Sequence, residues 1–335
     1  MQLHFSFIIP VFNRPEEIKE LLESFLLQTS KTPYEIVIIE DGSGISSKSV
    51  VESFQDKLHI SYYFKKNSGP GDSRNFGMQK AKGNYFIILD SDCLLPENYL
   101  AEVENSLNSK FVHCFGGPDE AHESFSNLQK AINFAMTSFI STGGIRGNKK
   151  SVTKFQPRSF NMGLSKEAFL ATGGFGSIHP GEDPDLSIRL WKKGYKTALM
   201  PEAKVFHKRR ISWPKFYNQV YKFGLVRPIL NSWHPETKKI AYWFPAVFCF
   251  GLVCAITLFL FFSRSLLLLM YLFYFVSAFI LAVIKTKSFF VAFQAIFAIF
   301  VQMVGYGYGF ITSTLLIAGL NIKPEKAFPE LFFTK

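Results

Sequence analysis

Three long apolar stretches in the C-terminal part of the chain constrain its architecture more than any other feature of the sequence. They cover residues 242–263, 265–284 and 289–320, and only Arg264, Lys285 and Lys287 add charge between them. The first two have the length of helices that cross a bilayer, about 20 residues each. A buried core helix is the alternative for a single stretch, but three in succession favour a multi-pass membrane segment.

The third stretch is longer than one perpendicular span needs, and it contains Gly305-Tyr306-Gly307-Tyr308-Gly309. It is consistent with a tilted span, a broken helix, or an interfacial segment followed by a span. The alternating glycines would allow close contact with another helix. The sequence therefore predicts about three membrane helices and leaves the geometry of the third open.

Positive charge is concentrated just before the first apolar stretch. Nine Lys or Arg residues but a single acid, Glu236, lie between residues 204 and 239. Positive residues beside a first span hold that side in the cytoplasm, and no signal peptide is visible at the N-terminus. We therefore expect the first 240 residues to lie at the cytoplasmic side of the plasma membrane, where the basic segment contacts membrane lipids. Because no nucleic-acid-binding motif is present, the net charge of +11 does not predict a nucleic-acid partner.

Before residue 242, apolar strands alternate with helices. Strands are predicted over 5–10, 35–39, 60–64, 85–89 and 111–116, and helices over 16–27, 47–55, 72–81 and 126–139. This alternation is typical of βαβ units, so the predicted fold class is α/β, with a Rossmann-like, mainly parallel sheet followed by C-terminal transmembrane helices. The glycine-rich, basic segment 143–154 is either a mobile loop over a site or a charged loop facing solvent or lipid, and we favour the second.

Polar side chains follow each of the first four predicted strands. In chain order they are Asn13 and Arg14, then Glu40-Asp41-Gly42-Ser43, then Lys66 and Asn67 with Arg74 on the next helix, then Asp90 and Asp92. Any one group could be a turn or a helix cap. Because the carboxyl ends of parallel strands share one edge of the sheet, where α/β proteins bind ligands, we expect these groups to converge.

Asp90 and Asp92 follow the apolar run 85–89 directly. Two carboxylates held close together repel unless positive charge lies between them. Mg²⁺ binds through one or two carboxylates together with phosphate oxygens. The pair therefore predicts a metal-diphosphate site, with a helix N-cap as the structural alternative.

A second acidic cluster follows Gly181 and consists of Glu182, Asp183 and Asp185. One of these acids is expected to cap the helix that begins there. A cap needs only one acid, so the excess indicates a further role. A general base at a helix N-terminus would need its pKa tuned by its surroundings.

Together these motifs resemble glycosyltransferase family 2, the inverting transferases with the GT-A fold. The resemblance covers roughly residues 3–210. It rests on Ile9-Pro10-Val11-Phe12-Asn13-Arg14, Ile38-Ile39-Glu40-Asp41-Gly42-Ser43, Ser73-Arg74-Asn75, Leu89-Asp90-Ser91-Asp92, and Gly173-Gly174-Phe175 followed by Gly181-Glu182-Asp183. Their joint occurrence in this order is specific, whereas each motif alone is not.

The resemblance implies a role for each matching residue. Asp41 would bind the nucleotide base in a pocket that Pro10, Phe12 and Asn13 line. The residues implied near the rest of the nucleotide-sugar donor are Arg14, Lys66, Asn67, Arg74, Asp90 and Ser91.

The catalytic roles follow in the same way. Asp92, with Asp90, would ligate Mg²⁺ or Mn²⁺, and His207 would be a further metal or phosphate contact. Asp183 matches the general base of the family, and Glu182 is its neighbour. The Gln-x-x-Arg-Trp motif of the processive synthases is missing, so polymer synthesis with extrusion is not expected.

These inferences divide the chain into a GT-A catalytic domain (1–210), a basic and aromatic interfacial segment (211–241), membrane helices (242–320) and a short tail (321–335). The first functional hypothesis is transfer of a sugar from a nucleotide-diphosphate sugar, with UDP favoured, to a hydroxyl of a lipid-linked or membrane-associated glycan. A polyprenyl-phosphate glycosyltransferase and a non-enzymatic sugar-nucleotide-binding scaffold are the alternatives.

Overall fold

The computed structural model describes residues 2–120, 125–143, 155–207 and 212–333. Its strands are β1 (Phe5–Val11), β2 (Tyr34–Asp41), β3 (Ile60–Lys65), β4 (Tyr85–Leu89), β5 (Cys93–Leu94), β6 (Cys114–Gly116), β7 (Asp119–Glu120), β8 (Asn161–Ser165), β9 (Thr197–Leu199) and β10 (Val205–His207). Its helices are α1 (Pro15–Leu26), α2 (Lys48–Glu52), α3 (Pro70–Lys80), α4 (Tyr99–Ser109), α5 (Asn127–Thr137), α6 (Phe139–Thr142), α7 (Lys166–Thr172), α8 (Glu182–Lys192), α9 (Trp213–Trp233), α10 (Phe244–Phe262), α11 (Leu266–Thr286), α12 (Phe289–Thr314) and α13 (Pro324–Ala327).

The chain forms two compact units. The sheet unit comprises residues 1–122, 149–208 and 330–335, and the helical unit comprises residues 123–148 and 209–329. Residues 123–148, which lie within the predicted catalytic domain 1–210, belong to the helical unit. The last six residues belong to the sheet unit. Apart from Gly143, the predicted basic loop 143–154 lies outside the described residues.

The sheet unit is built on a seven-stranded sheet of order β3-β2-β1-β4-β8-β6-β9. The first four strands in this order are parallel, as the alternation of strands and helices predicts. β8, which was not predicted, lies antiparallel between β4 and β6. A second sheet of order β5-β10-β7 contains two strands that are too short to show a periodic pattern.

Helices cover both faces of the large sheet, which explains why its central strands are apolar at nearly every position. Phe7 and Ile9 of β1 pack in one core with side chains of α1 and α4. Ile8, which points to the other face, packs in a second core with side chains of α3, α7 and α8. All five residues of β4 are buried, so this strand brings Asp90 and Asp92 to the edge of a rigid layer.

Three helices of the helical unit are long and apolar enough to cross a membrane: Ile240–Phe262, Leu266–Thr286 and Phe289–Gly319. They confirm that the three predicted apolar stretches are helices of sufficient length for a membrane span. The third is helical throughout, because α12 runs directly into a π-helical turn at Leu315–Gly319.

The glycines of the third span make contacts inside the helical unit. A Cβ at Gly309 would overlap the Tyr221 carbonyl of α9, and a Cβ at Gly224 of α9 would overlap the Tyr306 carbonyl of α12. Small residues therefore let two backbones approach, as the alternating glycines predict. Helix α9, from the predicted interfacial segment 211–241, buries Phe216, Val220 and Leu225, and its neighbour along this face is α12.

Candidate active site

Asp92 occupies a pocket of opposite charge at the carboxyl edge of the sheet. Arg14 Nη1 donates to Asp92 Oδ2 over 2.6 Å, and His207 Nε2 lies 3.0 Å from Asp92 Oδ1. Burial would raise the pKa of this carboxyl, but the His207 and Arg14 charges outweigh burial and hold the pKa well below its usual range. Asp92 is therefore an anion over the physiological pH range.

The small second sheet brings His207 to Asp92. His207 on β10 pairs with Cys93 on β5, the residue that follows Asp92. The ring of Phe160 stacks on the imidazole with 5.1 Å between centroids. Residues 115 positions apart in sequence thus meet through a two-residue strand, which fixes the imidazole against the carboxylate.

The donor atoms around Asp92 suit a divalent cation. Two ligands at right angles, each about 2.1 Å from a metal ion, would lie about 3.0 Å apart, and Asp92 Oδ1 and His207 Nε2 are separated by 3.0 Å. Ligand atoms of Asp92, Cys93 and His207 all lie within 4.8 Å of one another. Burial and nearby carboxylates raise the pKa of the Cys93 thiol well above its usual value, so the sulfur stays protonated. Carboxylate and imidazole groups are therefore the residues fit to hold the ion.

Arg74 joins the two acidic clusters. This residue is 4% exposed, and its guanidinium donates to Asp90 Oδ1 over 2.8 Å and to Glu182 Oε1 over 3.2 Å. The ring of Phe175 lies 5.3 Å from the guanidinium carbon. Two acids 92 positions apart in sequence thus bind the two terminal nitrogens of one buried cation, and their charges keep that cation protonated although burial opposes it.

Glu182 and Asp183 are neighbours in the first turn of α8, yet their pKa values move in opposite directions. His179 Nδ1, 2.8 Å from Glu182 Oε1, and Arg74 hold the pKa of Glu182 low despite its burial. Burial and the Glu182 charge raise the pKa of Asp183 to about 6. Asp183 Oδ2 accepts a hydrogen bond from the Ser159 amide, whereas the buried Oδ1 has no hydrogen-bond partner among the described residues. Asp183 has the properties of a general base.

The expected side-chain cap of α8 is a misprediction. The N-cap is Gly181 at φ 123°, a conformation that an acid rarely adopts, and no side chain in the described residues caps the helix. Asp185 instead pairs with Arg189, which also donates to the Thr172 and Gly174 carbonyls. The third acid of the cluster therefore has a structural role.

Asp41 is held by groups that follow β3. Its carboxylate accepts from Lys65 Nζ (2.6 Å) and from the amides of Ser68 and Gly69 (3.0 Å each). Asn67 donates to the Asp41 carbonyl, and a Cβ at Gly42 (φ 71°) would lie 2.6 Å from the Asn67 nitrogen. The turns after β2 and β3 are therefore interlocked around Asp41, while the predicted Lys66 is exposed to solvent.

The remaining predicted donor residues lie in the turn after β1 and the turn after β4. Asn13 has a left-handed backbone (φ 55°), its backbone amide donates to the Ser43 hydroxyl oxygen over 2.8 Å, and its Oδ1 accepts from the Ile45 amide. Phe12 is half exposed beside it, Pro10 is the sixth residue of β1, and Ser91 is buried between the two aspartates. These residues lie at or just beyond the carboxyl ends of β1 and β4, and the Phe12 ring is exposed.

Several residues of the site were not singled out from the sequence. They are Lys65, Ser159 and His179. Lys65 and Ser159 reach the site through contacts between segments distant in sequence. Only His179, three positions before Glu182, has a local signal that could have drawn attention.

Residues 6–170 match the family model described as Glycosyl transferase family 2. An uncharacterized glycosyltransferase of Rickettsia felis is 35% identical over 136 residues, which cover 41% of this chain and 22% of that protein. A Campylobacter jejuni protein, GalNAc(5)-diNAcBac-PP-undecaprenol beta-1,3-glucosyltransferase, is 28% identical over 191 residues, or 56% of this chain and 60% of that protein.

Among solved structures, the mannosyltransferase PcManGT from Pyrobaculum calidifontis, in complex with GDP-Man and Mn²⁺, superposes with a TM-score of 0.59. The match covers 93% of this chain and 87% of that structure at 15% identity. At this identity the likeness establishes the fold, which is the GT-A fold.

Proposed function

The chain belongs to glycosyl transferase family 2, and from this premise we propose that it transfers one sugar from a nucleotide-diphosphate sugar to a hydroxyl of a lipid-linked glycan at the membrane surface. We propose a single displacement that inverts the anomeric carbon, with Asp183 as general base and a Mg²⁺ or Mn²⁺ ion at Asp92. The observation that carries the proposal is the Arg74 bridge, in which the two terminal nitrogens of one buried cation bind two electrostatically different carboxylate clusters.

The first cluster suits the leaving group. A nucleoside diphosphate gains negative charge as the bond to the sugar breaks, and preorganised positive charge stabilises it. Arg14 and Arg74 supply fixed cations beside Asp92 and Asp90. Asp92 and His207 would hold the divalent cation, which when bound neutralises charge on the diphosphate.

The second cluster suits the acceptor. A hydroxyl is a weak nucleophile and needs a base as it attacks. The Oδ1 of Asp183, which has no hydrogen-bond partner among the described residues, would take the hydroxyl proton while the acceptor oxygen bonds to C1 and the nucleoside diphosphate departs. Attack on the face opposite the leaving group inverts C1. Glu182, held ionised by His179 and Arg74, raises the proton affinity of Asp183.

The donor base would bind near Asp41, where the turns after β1, β2 and β3 meet. Asp41 holds the backbone of residues 68 and 69, and the exposed ring of Phe12 offers a face for stacking. A UDP-sugar is the proposed donor by family resemblance.

The acceptor is proposed to be membrane-associated, because the chain carries three helices long and apolar enough to span a membrane. The Campylobacter relative is named for a polyprenyl-diphosphate-linked acceptor. We place the sheet unit on the cytoplasmic side, on the basis of the Lys/Arg excess before the first span.

A donor and acceptor screen tests the proposal. The full chain in lipid nanodiscs would be incubated with Mn²⁺, a panel of UDP- and GDP-sugars and undecaprenyl-diphosphate-linked sugars. We expect acceptor-dependent release of a nucleoside diphosphate and a product of inverted anomeric configuration by NMR. A retained configuration, or donor binding without release under any condition, would contradict it.

A further inference from the structure

The segment Leu331–Phe333 is part of the sheet unit although it follows the membrane helices in the chain. It lies antiparallel to the turn before α8, with Ile178 and Phe332 forming a β-bridge. The His179 amide donates to the Leu331 carbonyl over 2.7 Å, and the Phe333 amide donates to the Ser177 carbonyl over 3.1 Å. Leu331 is fully buried. The segment thus supplies a strand to a turn that has no other strand beside it among the described residues.

The ring of Phe333 lies between two turns of the site. A Cβ at Gly69 would overlap this ring, so the ring is in contact with the turn that Asp41 holds. On the other side, the ring centroid lies 6.2 Å from that of His179. One aromatic side chain therefore contacts the turn after β3 and the turn that leads into α8.

His179 connects this ring to the acidic pair. Its Nδ1 lies 2.8 Å from Glu182 Oε1. Glu182 in turn binds Arg74 and adjoins Asp183, the proposed base. A shift of the turn at 177–179 would move His179 and, with it, the Glu182 carboxylate whose charge sets the proton affinity of Asp183.

We propose that Phe333 and His179 are positioning residues of the transfer reaction: the segment Leu331–Phe333 holds the turn at 177–179, and His179 then holds Glu182 beside the base. The expected effect of these residues on the reaction rate rests on the proposed function. Their expected effect on the structure of the turn rests on the contacts alone. Phe333 touches neither acidic cluster, so its influence runs through His179.

Kinetics of the full chain test the role in the reaction. For Phe333→Ala we expect kcat to fall about tenfold or more, as misplacement of catalytic groups does, and donor Kd to change by less than about threefold. Phe333→Leu, which keeps a large apolar side chain, should restore most of kcat. Glu330→Gln, at the exposed residue just before the segment, is the matched control and should match the wild type.

A double variant tests whether Phe333 acts through His179. If Phe333 acts through His179, Phe333→Ala combined with His179→Gln should be no slower than the slower single variant, whereas independent effects multiply. Multiplied effects, or wild-type kcat in Phe333→Ala, would overturn the proposal.

Amide hydrogen exchange tests the structural part of the proposal independently of transferase activity. In Phe333→Ala, amides of residues 177–182 should exchange about tenfold faster or more because the turn loses a partner strand, while those of β1 should not change. Unchanged exchange at 177–182 overturns the inference even if the enzyme is active. Faster exchange in a chain without transferase activity would instead count against the proposed function alone. If Phe333→Ala does not fold, His179→Gln, which alters the contact with Glu182, is measured instead, and a kcat at the wild-type level overturns the proposal.

Discussion

Asp92 and Asp183 lie in the same site, yet their surroundings shift their pKa values in opposite directions. Burial favours the neutral form of both carboxyls. At Asp92 the His207 and Arg14 charges outweigh burial, whereas at Asp183 the neighbouring Glu182 charge adds to it. Pairs of acids with divergent pKa values mark separate chemical roles. The comparison supports the proposal that Asp92 binds the ion and the diphosphate and that Asp183 takes the proton.

Removing the base should have the largest effect. Asp183→Asn keeps the shape of the side chain but cannot accept the proton, so kcat should fall by about 10²- to 10⁴-fold. Donor binding, measured by calorimetry, should remain because Asp92 is intact. Asp56→Asn, at an exposed acid, is the control. Turnover near the wild-type rate would mean that the acceptor needs no base, as expected for a phosphate acceptor.

A substitution at Asp92 tests the proposed metal site. Asp92→Asn should weaken metal-dependent donor binding by about 100-fold, because the Oδ1 charge that faces His207 is lost. Calorimetry with a UDP-sugar and Mn²⁺ measures this loss. In EDTA the variant and the wild type should bind the UDP-sugar with the same affinity. A difference that persists in EDTA would mean that Asp92 contributes to donor binding without the metal ion.

The pH profile measures the contrast directly. A base must be ionised, and the pKa of Asp183 is raised to about 6, so kcat/KM should be constant above this value and fall as pH drops through it. At one pH unit below the pKa the rate should be about tenfold lower. Asp92, with a lowered pKa, stays ionised throughout this window. A profile that is flat from pH 5 to 8 would exclude Asp183 as the base.

The third acid should have the smallest effect on turnover. Asp185→Asn removes the pair with Arg189, which should cost about 1–2 kcal/mol of stability, while kcat changes by less than about threefold. Thermal unfolding and steady-state kinetics at pH 7.5 measure the two. A large loss of kcat at unchanged stability would indicate that Asp185, and not Asp183, is the general base.

Local patterns predicted the parts of this site that lie at strand and helix ends. Asp90 and Asp92 directly follow the apolar run of β4, and three acids directly follow Gly181. Each of these short segments is recognisable from its own residues. The side-chain cap on α8 was mispredicted because the turn needs a positive φ, which glycine provides. Lys65 was missed beside the predicted Lys66, since the alternation of β3 decides which lysine reaches Asp41.

The sequence by itself predicted the α/β class, the resemblance to glycosyltransferase family 2, the three long apolar helices and the two acidic clusters, because each depends on short motifs, composition or periodicity within some 20 residues. Only the tertiary structure decided that β8 runs antiparallel inside the sheet, that His207 reaches Asp92, and that Arg74 joins Asp90 to Glu182. These are pairings between distant segments, for which no local pattern exists. The same reason hides the role of Leu331–Phe333, whose partners lie more than 150 residues earlier in the chain.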